Sequence, residues 1–115
     1  MKNLEQIRAR NALKCPPIQG KQGGEVMKKI PALVINHGLL AVAAYANDNA
    51  GYATAFDYIA CHLSDPEIDL LPQGCNTHKK MMDHLSSNGT SQELRDCTNE
   101  AMAWLNYARR FVKKD

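Results

Sequence analysis

The stretch Ser91-Gln92-Glu93-Leu94-Arg95-Asp96-Cys97-Thr98-Asn99-Glu100-Ala101-Met102-Ala103-Trp104-Leu105-Asn106-Tyr107-Ala108-Arg109-Arg110-Phe111-Val112-Lys113 decides how this chain folds. At about 100° per residue, Leu94, Cys97, Ala101, Trp104, Leu105, Ala108, Phe111 and Val112 share an arc of roughly 120°. Arg95, Arg109, Arg110 and Lys113 gather nearly opposite them. The spacing predicts one long helix that buries one face and offers the other to an anion. Thr90 and Glu93 stand at capping-box spacing at its start, each side chain placed to satisfy the other's backbone amide.

Working back from that helix, helical segments alternate with loops and turns. Thr77 to Ser87 puts His78, Met81, Met82 and Leu85 on one face and is closed by Asn88-Gly89. Ser64 to Gly74, with Asp65-Pro66, Pro72 and three acids, reads as a loop with room for one helical turn. Ala50 to Leu63 carries Ala53, Phe56, Ile59, Ala60 and Leu63 at three-and-four spacing behind an Asn47-Asp48-Asn49 turn able to cap it. Leu39 to Ala46 is apolar on all sides and reads as a short helix buried all round. Gly38 separates it from a helical pattern over Glu25 to Asn36, in which Pro31 either opens a helix as its first residue or kinks a longer one. Leu4 to Lys14 forms a first helix with Leu4, Ile7 and Asn11 on one side and Arg8 beside them, stopped by Cys15-Pro16-Pro17. Residues 15–24 then read as a flexible connector. No segment alternates with period two, so the expected fold is all-α: a single domain over 1–115, built as one compact bundle of five or six helices. Its expected centre is Trp104, Phe111, Phe56 and the 38–46 segment.

Bulk properties narrow the class. At 115 residues with 44% hydrophobic and 23% charged residues, the chain resembles an ordinary globular domain. Its longest apolar run, Gly38 to Ala46, is far short of a membrane span, and no signal-peptide pattern is evident, so a cytoplasmic protein without membrane partners is expected. Cys15, Cys61, Cys75 and Cys97 include no CxxC pair and read as reduced thiols, mostly buried. The net charge of +2 conceals segregation. Residues 1–29 hold seven Lys or Arg against two acids, residues 30–78 none against five, and residues 79–115 seven against five.

Motifs for chemistry are scarce. Cys61, Cys75, His78 and His84 superficially match a zinc set, but His78 belongs to an apolar stripe and Cys61 lies inside a helix, so no metal site is assigned. No local signature singles out a nucleophile and base. Asp65, Glu67 and Asp69 alternate in a loop as solvated acids do, and Gly20, Gly23 and Gly24 lack the frame of a phosphate-binding loop. Neither catalytic residues nor a cofactor are therefore expected. Contact with RNA phosphates is what the residues support, with Lys14, Lys21, Lys28, Lys29, Arg95, Arg109, Arg110 and Lys113 as the candidates. Trp104 and Phe111 are expected to face inward, leaving Tyr52, Tyr58 and Tyr107 as the exposed aromatics and no base-stacking platform. The alternative is a free-standing helical interaction module whose basic face docks an acidic protein partner.

Thr98-Asn99-Glu100-Ala101-Met102-Ala103-Trp104-Leu105-Asn106-Tyr107-Ala108-Arg109-Arg110-Phe111 resembles the C-terminal signature of the small subunit of the Cmr-type, type III-B CRISPR RNA-targeting complex. Ile30-Pro31-Ala32-Leu33-Val34-Ile35-Asn36-His37-Gly38-Leu39-Leu40-Ala41-Val42-Ala43 resembles that family's Leu-Pro-Ala-Leu-Ile and Asn-Gly-Leu stretch, and Ile7-Arg8-Ala9-Arg10-Asn11-Ala12-Leu13 is a fainter likeness. The resemblance implies a non-catalytic subunit stacked in several copies beside the backbone subunits, with guide RNA, target RNA, backbone and large subunits and other copies of itself as partners. The acidic 65–69 loop does not suit an RNA-facing surface; on this reading it faces a neighbouring subunit.

Overall fold

In a computed structural model, which describes residues 3–18 and 23–112, every regular element among the described residues is helical. The order is α1 (Leu4–Lys14), α2 (Gly23–His37), α3 (Leu39–Tyr45), a 3-10 turn at Ala46–Asp48, α4 (Ala50–Leu63), α5 (His78–Ser87) and α6 (Ser91–Phe111). The all-α compact bundle expected from the sequence is therefore the observed fold. Lys21 and Lys113 lie outside the described residues, as does most of the 19–24 half of the expected connector. Gly23 and Gly24 are the first residues of α2, and Ile18 just before the gap is fully buried.

The helix ends obey local chemistry. Asn3 accepts from the Gln6 amide while the Gln6 side chain returns to the Asn3 amide, and Thr90 and Glu93 do the same for α6. Asn49 caps α4 through the Tyr52 amide and Thr77 caps α5 through the Lys80 amide. Asp57 on α4 accepts from the His78 backbone amide at 2.7 Å, and the His78 imidazole donates from Nε2 to the Ala43 carbonyl. Those two bonds tie α5 to both α4 and α3. Pro31 lies well inside α2, so it does not open that helix, which continues through it to His37. Gly38, with φ +90° and ψ 157°, makes the turn from α2 into α3 in a conformation that side chains with a Cβ rarely adopt.

The core is the apolar faces of α2, α4, α5 and α6 meeting around Trp104, with Phe56, Met27, Ile30, Ile59, Leu63, Met81 and Leu105 fully buried. α1 lies on α6 and contributes Ile7 and Ala12. Several expectations need correction. Phe111 is 39% exposed: it is the last residue of α6 and stands at the edge of the apolar arc, so it is not part of the centre. α3 is not buried all round; Leu39, Val42 and Ala43 face inward while Ala41, Ala44 and Tyr45 are exposed. Alanine loses little by facing water, so an alanine-rich segment does not announce which side is covered. Of the four free thiols, Cys97 is buried, Cys15 and Cys75 are partly covered and Cys61 is exposed. Tyr52 is buried, and the exposed tyrosine is Tyr45.

Candidate nucleic-acid interface

α6 displays its basic residues because its opposite face is held so firmly. Cys97, Ala101, Trp104, Leu105 and Ala108 are buried, and the Trp104 indole stacks on the His62 imidazole of α4, centroids 5.3 Å apart and planes 17° apart. Arg95, Arg109 and Arg110 are consequently turned outward and exposed. At about 1.5 Å per residue, Arg95 and Arg109 stand roughly 21 Å apart along the helix, a stripe and not a patch. The Arg95 guanidinium donates to the Gln92 side chain at 2.9 Å. Arg109 and Arg110 sit in the last turn, where the helix dipole favours cations.

The remaining candidates are distributed elsewhere. Lys28 and Lys29 are exposed on α2 and border a groove of about 790 Å³ between α2, α3 and the start of α4, together with Leu33, His37, Ala41 and Tyr45. Lys14, exposed at the end of α1, borders a second groove of about 560 Å³ that includes Tyr58, Cys61 and Asp65. None of the six described candidates makes an ion pair among the described residues. The structure thus divides the candidate set into the α6 stripe, the α2 pair and the lone Lys14.

Arg8 and Arg10, by contrast, are engaged within the chain. Arg8 grips Glu100 through two bonds of 2.7 Å, from Nε to Oε2 and from one terminal nitrogen to Oε1. His62 donates from Nε2 to Glu100 Oε2 at 2.9 Å, and its Nδ1 accepts from the Asn11 side-chain amide at 2.9 Å. Asn11 also donates to Asp65. Arg10 reaches Asp65 at 2.8 Å and Glu67 at 2.7 Å. Burial is the largest influence on the His62 imidazole and pushes its pKa down, outweighing Glu100, so the ring is neutral and the bond to Glu100 is that of a neutral donor to a carboxylate. Burial pushes Glu100 upward, but the hydrogen bonds from Arg8 and His62 outweigh it and hold the carboxylate below its ordinary range. This network stitches α1, α4, α6 and the acidic loop together. Two of the three loop acids, Asp65 and Glu67, are therefore paired with Arg10 inside the same molecule.

Reading α6 by its period alone misses Glu100, which is only 8% exposed. A signal existed: Glu100 precedes Trp104 by four residues and so shares its face, just outside the apolar arc. The former zinc candidates are dispersed, with His78 on the Ala43 carbonyl, His84 on Glu93 at 3.0 Å and Cys61 at the surface. Among the described residues no three His, Cys, Asp or Glu side chains are grouped to hold a metal. Burial pushes the Cys15 and Cys97 thiols up to about 11, so both stay protonated at neutral pH.

Fold and surface together define a small all-α protein with a firmly anchored helix bearing a basic outer stripe, and no helix among the described residues is long and apolar enough to cross a membrane. A protein-family model described as "CRISPR-associated protein (Cas_Cmr5)" matches residues 4–114, and the chain belongs to that family, the small subunits of Cmr-type, type III-B CRISPR assemblies. Membership implies association with the Cmr effector complex. A search of curated proteins and a search of solved structures return no match.

Proposed function

We propose that this chain is a non-catalytic, cytoplasmic subunit that stacks in several copies beside the backbone subunits and contacts guide and target RNA phosphates through its basic surface. The observation that carries the reading is the outward stripe of Arg95, Arg109 and Arg110 on a helix whose other face is anchored by Trp104. Exposed guanidinium groups that make no ion pair among the described residues neutralise phosphates and release counterions, giving affinity that depends on salt and not on base sequence. One copy offers few such contacts. Several copies along one strand raise the effective concentration of each, so weak individual contacts add to firm retention.

Replacing Arg109 and Arg110 by Gln keeps good helix formers in place and removes two phosphate contacts. Target-RNA retention by the assembled complex is then expected to weaken, with its log–log salt slope flatter by about 1.4, at roughly 0.7 per contact on a single strand. Circular dichroism of the variant should match the parent. Unchanged RNA retention combined with loss of a protein subunit from the assembly would overturn the reading in favour of an acidic protein partner for this face.

A further inference from the structure

The groove between α2, α3 and the start of α4 combines two kinds of surface that phosphate contact alone does not require. Its volume of about 790 Å³ lies in the range of small-ligand sites. Lys28 and Lys29 stand exposed on its rim, and no carboxylate among the described residues lines it. Inside, the Tyr45 ring is 57% exposed. It is held from one side by the buried Tyr52 ring, which meets it at 80° with centroids 5.4 Å apart. Edge-to-face contact of that kind steadies an aromatic ring while leaving the rest of its surface open. Ala32 and Ala41, which line the same groove, carry only methyl groups.

We propose that this groove seats an unpaired base of single-stranded RNA, with the base stacked on Tyr45 and the adjoining phosphates held by Lys28 and Lys29. The inference rests on the RNA-contacting reading above and deepens it: the chain then grips a nucleotide as well as tracking a backbone. Cationic rims with an aromatic platform are the chemistry by which proteins hold single strands without reading their sequence, because every base offers a π-face. Lys28, Lys29 and Tyr45 are the exposed charged and aromatic groups on one groove, the pairing that a nucleotide's phosphate and base require. His37, at the end of α2, adds a further polar group at the rim.

The test compares the full-length chain on a short oligouridylate and on an abasic oligomer with the same number of phosphates, by fluorescence anisotropy at low salt. Tyr45→Ala is expected to weaken the oligouridylate about 5-fold or more and the abasic oligomer less than about 2-fold, the size of one lost base-stacking contact. Tyr45→Phe should keep the parent affinity, and Lys28→Gln with Lys29→Gln should weaken both oligomers. Equal parent affinity for the two oligomers, or an equal loss on both from Tyr45→Ala, overturns the base seat and leaves phosphate contact by α6 standing. Absence of binding to either oligomer, in the free chain and in the assembled complex, removes the RNA reading and the base seat together. A photo-crosslinking side chain placed at Tyr45 in the assembled complex gives an independent answer. Capture of RNA supports the proposal, and capture of a protein subunit in its place overturns it.

Discussion

Glu100 shows how one residue fastens several elements. A carboxylate this well covered is tolerable only when paired and hydrogen-bonded, and Arg8 and His62 supply three bonds between them. His62 is in turn placed by the Trp104 ring on its face and by Asn11 on Nδ1. The consequence is a specific response to acid. Burial keeps the folded His62 pKa below its ordinary value of 6.5, so the unfolded chain takes up the proton first. Stability present above that value is lost as pH falls through it toward the lower folded value. Glu100, held below its ordinary 4.5, adds a second loss of the same sign at lower pH. Urea unfolding followed across pH should therefore show declining stability below about 6.5, by no more than about 1.4 kcal/mol per pH unit from this group. His62→Gln should lower stability at neutral pH and flatten that first slope; an unaltered slope would mean His62 does not titrate on unfolding as described. Neither Glu100 nor His62 declares this role by type, because partners 92 and 38 positions away in sequence create it.

At the scale of elements, what was legible follows from interactions closed within a few residues. The boundaries of α1 and α4, and the caps at Asn49 and Thr90, were readable because prolines, cap side chains and apolar spacing act locally. The sequence of α3 does not show which of its sides is covered, because exposure depends on the neighbours it meets, and Tyr45 is exposed because α3 packs through Leu39, Val42 and Ala43. Gly38 joins the two kinds of information. A Cβ built there meets nothing within 4 Å, so the positive φ and not crowding is what demands glycine. Gly38→Ala is expected to cost about 1–3 kcal/mol through backbone strain alone, measured as a lowered denaturation midpoint with an unchanged m-value. A neutral outcome would show that the α2–α3 turn relaxes without loss.

For the whole molecule, the charge asymmetry along the chain resolves into two uses. Arg8 and Arg10, from the basic N-terminal block, are engaged on Glu100, Asp65 and Glu67, while Lys14, Lys28 and Lys29 from the same block remain exposed. The two populations should respond differently to ionic strength. Raising salt from about 0.1 to about 0.5 M is expected to change the unfolding free energy of the isolated chain by less than about 1 kcal/mol, since partly exposed pairs contribute little and the covered pair is poorly screened. RNA retention by the complex should fall by orders of magnitude over the same range. A parallel decline of both would indicate that the basic surface stabilises the fold instead of meeting phosphates. The sequence by itself determined the all-α class, most helix limits and the two-sided character of α6, because hydrophobic period and capping are written within one or two turns. Only the tertiary structure decided which arginines stay free and that Tyr45 opens onto a groove. Exposure and pairing are properties of surfaces that α1, α3, α4 and α6 create only when they meet.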